Sequence, residues 1–553
     1  MNPGRRLAVG ILLLLALAAA AAWRSYQMIE TFYAYRSPLD NAALINRERL
    51  GPPATRRLVF VLIDGLRLDT ALKSEVMPML AELRSQGAWA TMHSRPPSYS
   101  QPAYTVLFTG AWSDLNGGPI FNHLGGSIPV WTQDHLFALA GTAGFTPAIS
   151  AYIWYEELLP TEDVQQAFFT HGDDRFADRE VVDAALPWLE SSEPSFILIH
   201  LDQVDYAGHH EGGPADPRWD QAAGRVDALL REIVSRLDLT QDTLVVCSDH
   251  GHIRGGGHGG NEPDVVTQPL LLTGAGIIPG DYGDVNMVDL APTLSAIMGA
   301  PLPAISQGVV RSEMLDLPAE TQEKLAEATR KQQARLLAAY AEAIGQPPPA
   351  IRLDGTDPEQ IVSAYQAALE GLRKTRLQEE QLPLLALIIL GWLAILLILL
   401  RQKSSRLMLV GGLFYFLLFV FFYRVIGSRT FSFSSIDSPE GFILSSAWFT
   451  APALAGGIIL VWIADSPSAK QPLRTALSIL YCSLAGIFWL SLPVLLQYAV
   501  NGLGAGWYMP DFTWAFLGLL GLVQVLLVAL IGLIYSGLAG LSLRFFKSAK
   551  SIR

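Results

Sequence analysis

The sequence predicts two regions of different fold class: an α/β domain whose mostly parallel sheet is sandwiched by helices, and an α-helical transmembrane bundle. A continuous apolar run of strand length lies at 58–63, and the largely apolar segments 195–200 and 243–247 repeat the pattern. Runs of this kind are typical of parallel strands that are buried on both faces. Five longer apolar runs follow residue 382, and each is long enough to cross about 30 Å of hydrocarbon as a helix.

The composition separates the two regions by charge. Of the 553 residues, 50% are hydrophobic and only 16% are charged, whereas soluble proteins carry about 25% charged residues. Residues 1–381 hold 28 Lys/Arg and 47 Asp/Glu, a net charge of −19, while 382–553 hold 11 Lys/Arg and 4 Asp/Glu. This distribution excludes a purely soluble enzyme and predicts an integral membrane protein with a large acidic domain. Nucleic-acid binding is not expected, because no basic stripe is present to neutralise phosphates.

Six apolar segments are predicted to span the membrane. Arg5 and Arg6 precede the first, at 7–23, which we interpret as an uncleaved anchor, with a cleaved signal peptide as the alternative. The other five lie at 384–400, 407–423, 442–464, 475–500 and 513–537.

The Lys/Arg distribution predicts the topology of these spans. Basic residues concentrate in the loops 401–406 and 465–474 and after residue 543, which all lie on one side if there are six spans. The positive-inside rule then places both termini in the cytoplasm and the acidic domain on the other side. The expected location is the plasma membrane in a prokaryote, or the endoplasmic reticulum with a lumen-facing domain in a eukaryote.

These patterns divide the chain into four segments: an N-terminal membrane anchor at 1–23, the extracytoplasmic α/β domain at 24–345, a helical stalk at 346–381 and a five-helix transmembrane domain at 382–553. The proline-rich stretch 347–349 separates two segments of helical composition, at 318–345 and 357–380. A stalk that leads into the membrane is one interpretation of these segments. Two ordinary helices that pack on the α/β domain are the other.

Acidic and histidine side chains follow each of the three predicted strands. They are Asp64 after the first strand, Asp202 and Asp205 after the second, and Asp249 and His250 after the third. Functional groups in open α/β sheets gather beyond the carboxyl ends of the strands, so these side chains are expected to meet. Carboxylate and imidazole groups are ligands for zinc-like and manganese-like ions. The sequence therefore predicts a metal site at this edge.

Two further motifs bring histidines to the same edge. Glycines in the loop 255–260 let the backbone fold back, so that His250 and His258 can reach one metal cluster. A glycine-rich surface loop with incidental histidines is the alternative interpretation.

The second motif is a carboxylate and an imidazole four residues apart. Asp205 and His209 reach one point if this segment is helical. Asp202 is a competing carboxylate and His210 a competing imidazole.

The segment PSYSQP at 97–102 supplies the candidate nucleophile. Ser100 stands at the head of an apolar stretch that ends at Gly110. A hydroxyl in this position can be deprotonated near a metal and is helped by the backbone N–H groups of the helix. The alternative role for Ser100, and for Asp64, is that of a helix cap.

Five motifs together resemble the alkaline phosphatase superfamily, and within it the type I phosphodiesterase/nucleotide pyrophosphatase branch. They are VFVLIDGLRLD at 59–69, PSYSQPAYTVLFTG at 97–110, DYAGH at 205–209, SDHG at 248–251 and GGGHGG at 255–260. The segment NMVDLAPTLSAIMGAPLPAISQG at 286–308 is most similar to the glycosylphosphatidylinositol (GPI) ethanolamine phosphate transferases, which also combine an N-terminal anchor, an outward catalytic domain and a multispan bundle.

The resemblance implies an alkaline-phosphatase-like catalytic domain with two divalent metal ions, zinc being favoured and manganese the alternative. By motif position, Asp64, Ser100, Asp249 and His250 would hold one ion, and Asp205, His209 and His258 the other. Ser100 rather than Ser98 would be the nucleophile, because the hydroxyl of this family stands immediately before x-Pro. An Asn that contacts phosphate in this branch matches Asn122, with Asn116 as the competitor.

The implied activity is that of a membrane-bound phosphodiesterase or phosphotransferase that forms a covalent phosphoserine. The favoured reaction transfers a phosphoethanolamine-type group from a membrane lipid to a glycan or lipid acceptor. Hydrolysis, as by a phosphodiesterase or nucleotide pyrophosphatase, is the alternative. The sequence does not predict an oligomeric state.

Two further hypotheses are less well supported. One is a catalytically inactive membrane scaffold, and the complete set of seven ligands argues against it. The other is a sulfatase, a class that shares the fold but requires a (C/S)-x-P-x-R sequence. Tyr104 stands where that arginine belongs.

Overall fold

The computed structural model describes residues 2–42, 44–122, 131–353, 357–436, 438–465, 472–502 and 506–550. The chain forms two compact units. One consists of Tyr35–Arg376 with Trp507–Met509, and the other of Met1–Ala34, Leu377–Gly506 and Pro510–Arg553. We call them the sheet unit and the helical unit.

The sheet unit is built on an eight-stranded mixed sheet. Its strands are β1 Arg57–Ile63, β2 Ala88–His93, β3 Pro147–Tyr152, β4 Gln166–Thr170, β5 Phe196–Leu201, β6 Asp242–Cys247, β7 Thr267–Gly274 and β8 Gly280–Asn286. They are ordered β4-β3-β5-β1-β6-β7-β2-β8. Only β7 runs antiparallel to its neighbours, and all other pairings are parallel. The mostly parallel sheet predicted from the sequence is therefore confirmed.

The α-helices of the described residues are α1 Pro3–Tyr33, α2 Leu68–Ala71, α3 Pro78–Arg84, α4 Ser100–Thr109, α5 Leu136–Ala143, α6 Asp178–Glu190, α7 Gln203–His210, α8 Pro217–Val234, α9 Pro263–Val266, α10 Leu290–Ile297, α11 Ala319–Ala343, α12 Pro358–Leu400, α13 Lys403–Phe421, α14 Pro439–Asp465, α15 Pro472–Asn501 and α16 Phe512–Lys550. Two groups of helices pack in the sheet unit: α3 and α6 pack with α8, and α4 and α5 pack with α10.

The three predicted strands are the three central ones, and their register fixes the position of the site. In β1, Leu62 pairs with Cys247 of β6, and Ile63 pairs with Leu201 of β5. All seven residues of β1 are buried, and each aliphatic side chain buried in this way contributes about 1.5–3 kcal/mol. The strands therefore end level, and the residues after them emerge at one edge.

The helix α4 is also held tightly. All ten of its residues are buried. It ends at Gly110, which has a φ of +68°, the left-handed conformation that favours glycine at a helix C-terminus. The first residue of this helix, Ser100, is therefore held on a rigid element.

The helices α11 and α12 make contacts inside the sheet unit. Leu369 of α12 belongs to a buried cluster with Leu336 and Tyr340 of α11. Arg373 forms an ion pair of 3.2 Å with Asp114. The helix α12 then continues without interruption to Leu400. A stalk function for residues 346–381 stays a prediction.

The membrane-spanning candidates belong to the helical unit, except that the first part of α12, up to Arg376, belongs to the sheet unit. Within the described residues, six helices are long and apolar enough to cross a membrane: Pro3–Tyr33, Pro358–Leu400, Lys403–Ile426, Pro439–Asp465, Leu473–Asn501 and Phe512–Ala539. They correspond to the six spans predicted from the sequence. Residues 466–471 and 551–553, which carry part of the predicted charge asymmetry, lie outside the described residues.

Uncharged polar side chains tie the helical unit together. The hydroxyls of Tyr415 and Thr450 donate to Oε1 of Gln524, at 2.7 and 2.8 Å. These bonds connect α13, α14 and α16. Hydrogen bonds of this kind between uncharged side chains stabilise helix packing within a membrane.

Candidate active site

Three side chains that follow β1 and β6 converge on one point. His250 Nε2 lies 3.4 Å from Asp64 Oδ1 and 3.3 Å from Asp249 Oδ2. Both oxygens are buried and have no hydrogen-bond partner among the described residues. The other oxygen of Asp249 accepts a hydrogen bond of 3.1 Å from the backbone N–H of Gly65. Because an unpaired buried carboxylate oxygen is energetically costly, this arrangement fits a bound cation.

Ser100 brings its hydroxyl to the same point. Its Oγ lies 3.2 Å from His250 Nε2. As the first residue of α4, Ser100 is at the positive end of the helix dipole, where an anionic oxygen is stabilised. The structure thus brings together the four predicted ligands of the first ion.

The three predicted ligands of the second ion form an adjacent group. His209 Nε2 lies 3.5 Å from Asp205 Oδ2, one helical turn earlier on α7. His258 Nε2 lies 3.6 Å from Asp205 Oδ1 and 2.9 Å from His209 Nε2. The His258 ring stacks on that of His250 with 3.8 Å between centroids, so the two groups are contiguous.

Burial and neighbouring charges set the protonation of these groups. Burial raises the pKa of Asp249 well above its usual range, and a neighbouring carboxylate raises it further. Burial lowers the pKa of His258, which favours the neutral imidazole that binds metals. Burial alone would raise the pKa of Asp205, but His209 and then His252 lower it well below its usual range. A cation among these carboxylates would relieve their repulsion.

Two tyrosines that the sequence motifs did not single out hold Asp64. The hydroxyls of Tyr104 and Tyr155 both donate to Asp64 Oδ2, the second at 3.1 Å. Burial raises the pKa of both tyrosines, and the charge of Asp64 raises it further, so both keep their protons. Tyr104 stands one helical turn after Ser100, a spacing that could have revealed it. No comparable signal marks Tyr155.

Asp64, His200 and Asp202 are also close enough to hold an ion. However, His200 Nε2 already lies 2.6 Å from the hydroxyl of Tyr104, which itself bonds to Asp64. We therefore interpret this third group as support for Asp64. Asp202, the competing carboxylate, belongs to this third group and not to the groups that contain His250 or His258.

His252 is a further site residue that the motifs did not single out. It is fully buried, and its Nε2 lies 2.8 Å from Asp205 Oδ1. Ligand atoms of Asp205, His250, His252 and His258 all lie within 4.8 Å of one another. Its position two residues after His250 was the available signal. His210, the competing imidazole, instead packs against Tyr206, with 4.6 Å between the ring centroids.

Asn122 lies at the N-terminus of α4, beside the candidate nucleophile. Its Oδ1 accepts a hydrogen bond of 3.0 Å from the backbone N–H of Gln101. The competitor Asn116 is fully buried, and both atoms of its amide bond to nearby backbone groups. The geometry favours Asn122 over Asn116, and its contact with phosphate stays a prediction.

Ser98 connects the segment before α4 to the glycine-rich loop 255–260. Its Oγ donates to the carbonyl oxygen of Gly260 at 2.6 Å, and its own carbonyl oxygen lies 3.2 Å from His258 Nδ1. The two loops approach closely at Gly259, which has a φ of +106°. A Cβ at Gly259 would lie 2.2 Å from the ring of Tyr99.

Comparison with known proteins agrees with the motifs. Residues 58–258 match the family described as type I phosphodiesterase / nucleotide pyrophosphatase. The chain is 27% identical to the human GPI ethanolamine phosphate transferase 2 catalytic subunit over 283 residues, 48% of this chain and 28% of that protein. It is 24% identical to GPI ethanolamine phosphate transferase 1 of Yarrowia lipolytica over 338 residues, 52% of this chain and 36% of that protein.

Solved structures are similar over part of the chain. Human ectonucleotide pyrophosphatase/phosphodiesterase 5 is 16% identical, with a TM-score of 0.37, and the match covers 44% of this chain and 95% of that one. A 2-O GAG sulfatase is 13% identical, with a TM-score of 0.37, over 47% of this chain and 74% of that one.

The resemblance inferred from the motifs is thereby confirmed. Residues 58–258 match the type I phosphodiesterase/nucleotide pyrophosphatase family, and about half of the chain is similar to GPI ethanolamine phosphate transferases. The chain spans only about a third of the length of the curated relatives it matches.

Ser98 and Ser100 make the first test. Ser100→Ala removes the hydroxyl beside His250 and is expected to abolish turnover of a phosphodiester. Ser98→Ala removes one buried hydrogen bond, worth about 1 kcal/mol, and is expected to lower the thermal midpoint while activity falls only severalfold. Assays of both purified variants check this. An inactive Ser98 variant beside an active Ser100 variant would contradict the assignment.

The two ligand groups predict the metal content. We expect two divalent ions per wild-type chain, and about one per chain after His258→Ala, because only the second group loses a ligand. Elemental analysis of folded protein measures this directly. His210→Ala is the matched control, since that neighbouring imidazole is outside both groups, and it should retain two ions. Fewer than two ions per chain in active wild-type protein refutes the assignment of two metal sites.

Proposed function

We propose that the protein is a membrane-bound phosphotransferase that moves a phosphoethanolamine-type group from a lipid donor to a glycan or lipid acceptor. The observation that carries this proposal is that seven carboxylate, hydroxyl and imidazole side chains form two adjacent groups, with Ser100 Oγ 3.2 Å from His250 Nε2 in the first. Its similarity to GPI ethanolamine phosphate transferases supports the nature of the group transferred.

Two cations held by these residues would lower the pKa of the serine hydroxyl and neutralise charge on the leaving oxygen. The first group would use Asp64, Ser100, Asp249 and His250, and the second Asp205, His209 and His258. The imidazoles of the second group suit zinc, and the oxygen-rich first group also suits manganese.

The side chains of the protein would carry the two chemical steps. In the first step, Ser100 Oγ loses its proton and attacks phosphorus, the bond from phosphorus to the lipid oxygen breaks, and the lipid leaves as an alcohol. Ser100 then holds the phosphoethanolamine as a phosphodiester. In the second step, an acceptor hydroxyl loses its proton and attacks the same phosphorus, the bond from phosphorus to Ser100 Oγ breaks, and Ser100 regains a proton. Asn122, beside the N-terminus of α4, would bind a phosphoryl oxygen.

Charge and membrane anchoring favour a lipid substrate over a soluble nucleotide. The net charge of −19 in residues 1–381 repels a polyanion, whereas a zwitterionic phosphodiester headgroup meets less repulsion. Six candidate membrane helices are also more than a soluble substrate requires. If water replaces the acceptor hydroxyl, the same two steps become hydrolysis, which is the alternative function.

The donor is tested by isolating the covalent intermediate. Purified protein is incubated in mixed micelles with phosphatidylethanolamine, or with a soluble nucleotide diester, and Ser100 is examined by mass spectrometry. We expect a phosphoethanolamine adduct with the lipid, none in Ser100→Ala, and little product from the nucleotide. Phosphatidylcholine serves as the matched donor that differs only in its amine. Rapid nucleotide cleavage without reaction of any lipid would refute the proposal.

We also propose that both termini are cytoplasmic and that the catalytic domain is extracytoplasmic. This topology rests on the Lys/Arg asymmetry of the loops. The two native cysteines, Cys247 and Cys482, are buried, so an added cysteine can be labelled selectively. Ser404 and Ser438 are both exposed and are predicted to lie on opposite sides of the membrane.

The cysteine variants test this topology in intact cells. A membrane-impermeant maleimide should label Ser438→Cys and leave Ser404→Cys unmodified until the cells are permeabilised. Both variants should react equally after detergent solubilisation, which shows that each thiol is accessible. Labelling of Ser404→Cys in intact cells would overturn the orientation.

A further inference from the structure

The histidines at the site differ in the backbone group that lies beside Nδ1, which is a carbonyl oxygen in two of them and an N–H in a third. His250 Nδ1 lies 3.2 Å from the carbonyl oxygen of Gly251, and His258 Nδ1 lies 3.2 Å from that of Ser98. A carbonyl oxygen only accepts hydrogen bonds, so each Nδ1 carries the proton of its neutral ring. The lone pair of Nε2 is then free to bind a metal, as required of a ligand.

His252 has the opposite arrangement. The backbone N–H of Gly257 donates to His252 Nδ1 at 3.1 Å. Because Nδ1 uses its lone pair for this bond, the proton of the neutral ring is on Nε2. That Nε2–H lies 2.8 Å from Asp205 Oδ1 and donates to it. In this tautomer His252 has no free lone pair for a cation.

We propose that His252 is a positioning residue and not a metal ligand, although its Nε2 lies within the ligand cluster. Its Nε2–H holds Asp205 Oδ1 and fixes the carboxylate so that Oδ2 faces His209, 3.5 Å away. The assignment rests on the proposed two-metal function. It gives the second ion three ligands, Asp205, His209 and His258, and gives Asp205 a fixed hydrogen-bond donor.

The packing around His252 keeps its ring in this orientation. The side chain is fully buried, and the ring of Trp219 lies edge-on at 5.3 Å. Trp219 is itself fixed, because its Nε1 donates to Thr70 Oγ1 at 2.8 Å. A Cβ at Gly208 would lie 2.3 Å from His252 Cε1, so the ring packs directly on that backbone. Turning the ring over would place a carbon opposite the N–H of Gly257 and leave that buried donor unpaired.

The expected effect is on the strength of metal binding and not on the number of ions. Hydrogen-bond partners of metal ligands typically change metal affinity about 10–100-fold when they are removed. Loss of a true ligand instead removes the ion or greatly weakens it. The two roles are therefore distinguished by measuring the ion count at saturating metal and the affinity separately.

The experiment compares three variants of the full chain in detergent. His252→Leu removes the donor, while His252→Gln replaces it with an amide N–H of similar reach. His209→Leu is the comparator that removes a proposed ligand of the same ion. Zinc content is measured at saturating zinc. The affinity for the second ion, the one assigned to Asp205, His209 and His258, is measured by competition with a chromophoric chelator. Thermal midpoints report whether each variant is folded.

We expect His252→Leu to keep two ions at saturation and to bind the second ion about 10–100-fold less tightly than wild type does. His252→Gln should bind it within about threefold of wild type, with a similar thermal midpoint, and His209→Leu should retain about one ion. Loss of an ion in both His252 variants, or equal weakening by Gln and Leu, would overturn the assignment. If His252→Leu does not fold, His252→Gln decides: two ions of near wild-type affinity support the assignment, and one ion refutes it.

The wild-type protein provides the check on the proposed function itself. Two ions in wild type with an ion lost from His252→Gln contradicts only the role of His252. Fewer than two ions in wild type contradicts the two-metal function, and the role of His252 is then wrong as well.

Discussion

The site depends on one constraint: parallel strands that end level bring carboxylates together in the interior. The register of β5, β1 and β6 brings the segments that carry Asp64, Asp205 and Asp249 to the same edge of the sheet. A buried ion that lacks compensation costs several kcal/mol, so the tyrosine hydroxyls, imidazoles and backbone N–H groups around these carboxylates offset part of that cost. Asp64 Oδ1 and Asp249 Oδ2 have no hydrogen-bond partner among the described residues, so the cost of burying these two oxygens is not offset by the protein alone.

The sequence predicted the centre of the sheet because burial on both faces demands continuous apolar runs, as in β1. It did not predict the edges. The strand β8, GDYGDVN, is largely exposed and rich in glycine and aspartate. It is held by parallel pairing with β2 and not by a pattern of its own. Edge strands of this kind depend on their neighbours, so no local signal marks them.

The same distinction applies to the site. Asp64, Asp249 and His250 adjoin central strands, so motif and strand position together predicted their meeting. Tyr155 reaches Asp64 from 91 residues away, and its contact depends on how the segment after β3 packs. The role of His252 is set by the direction of one backbone N–H, that of Gly257, which residue types alone do not encode.

The buried helix α4 carries both Ser100 at its first residue and Tyr104, which holds Asp64. A displacement of this helix would therefore move the attacking oxygen and disturb a carboxylate of the first group at once. A misplacement of reacting groups by about 1 Å can lower the rate about 100-fold. Even a small displacement of α4 would therefore remove most of the activity. Substitutions that change substrate preference are consequently best tolerated in the loops around the site, where residues can vary without displacing α4.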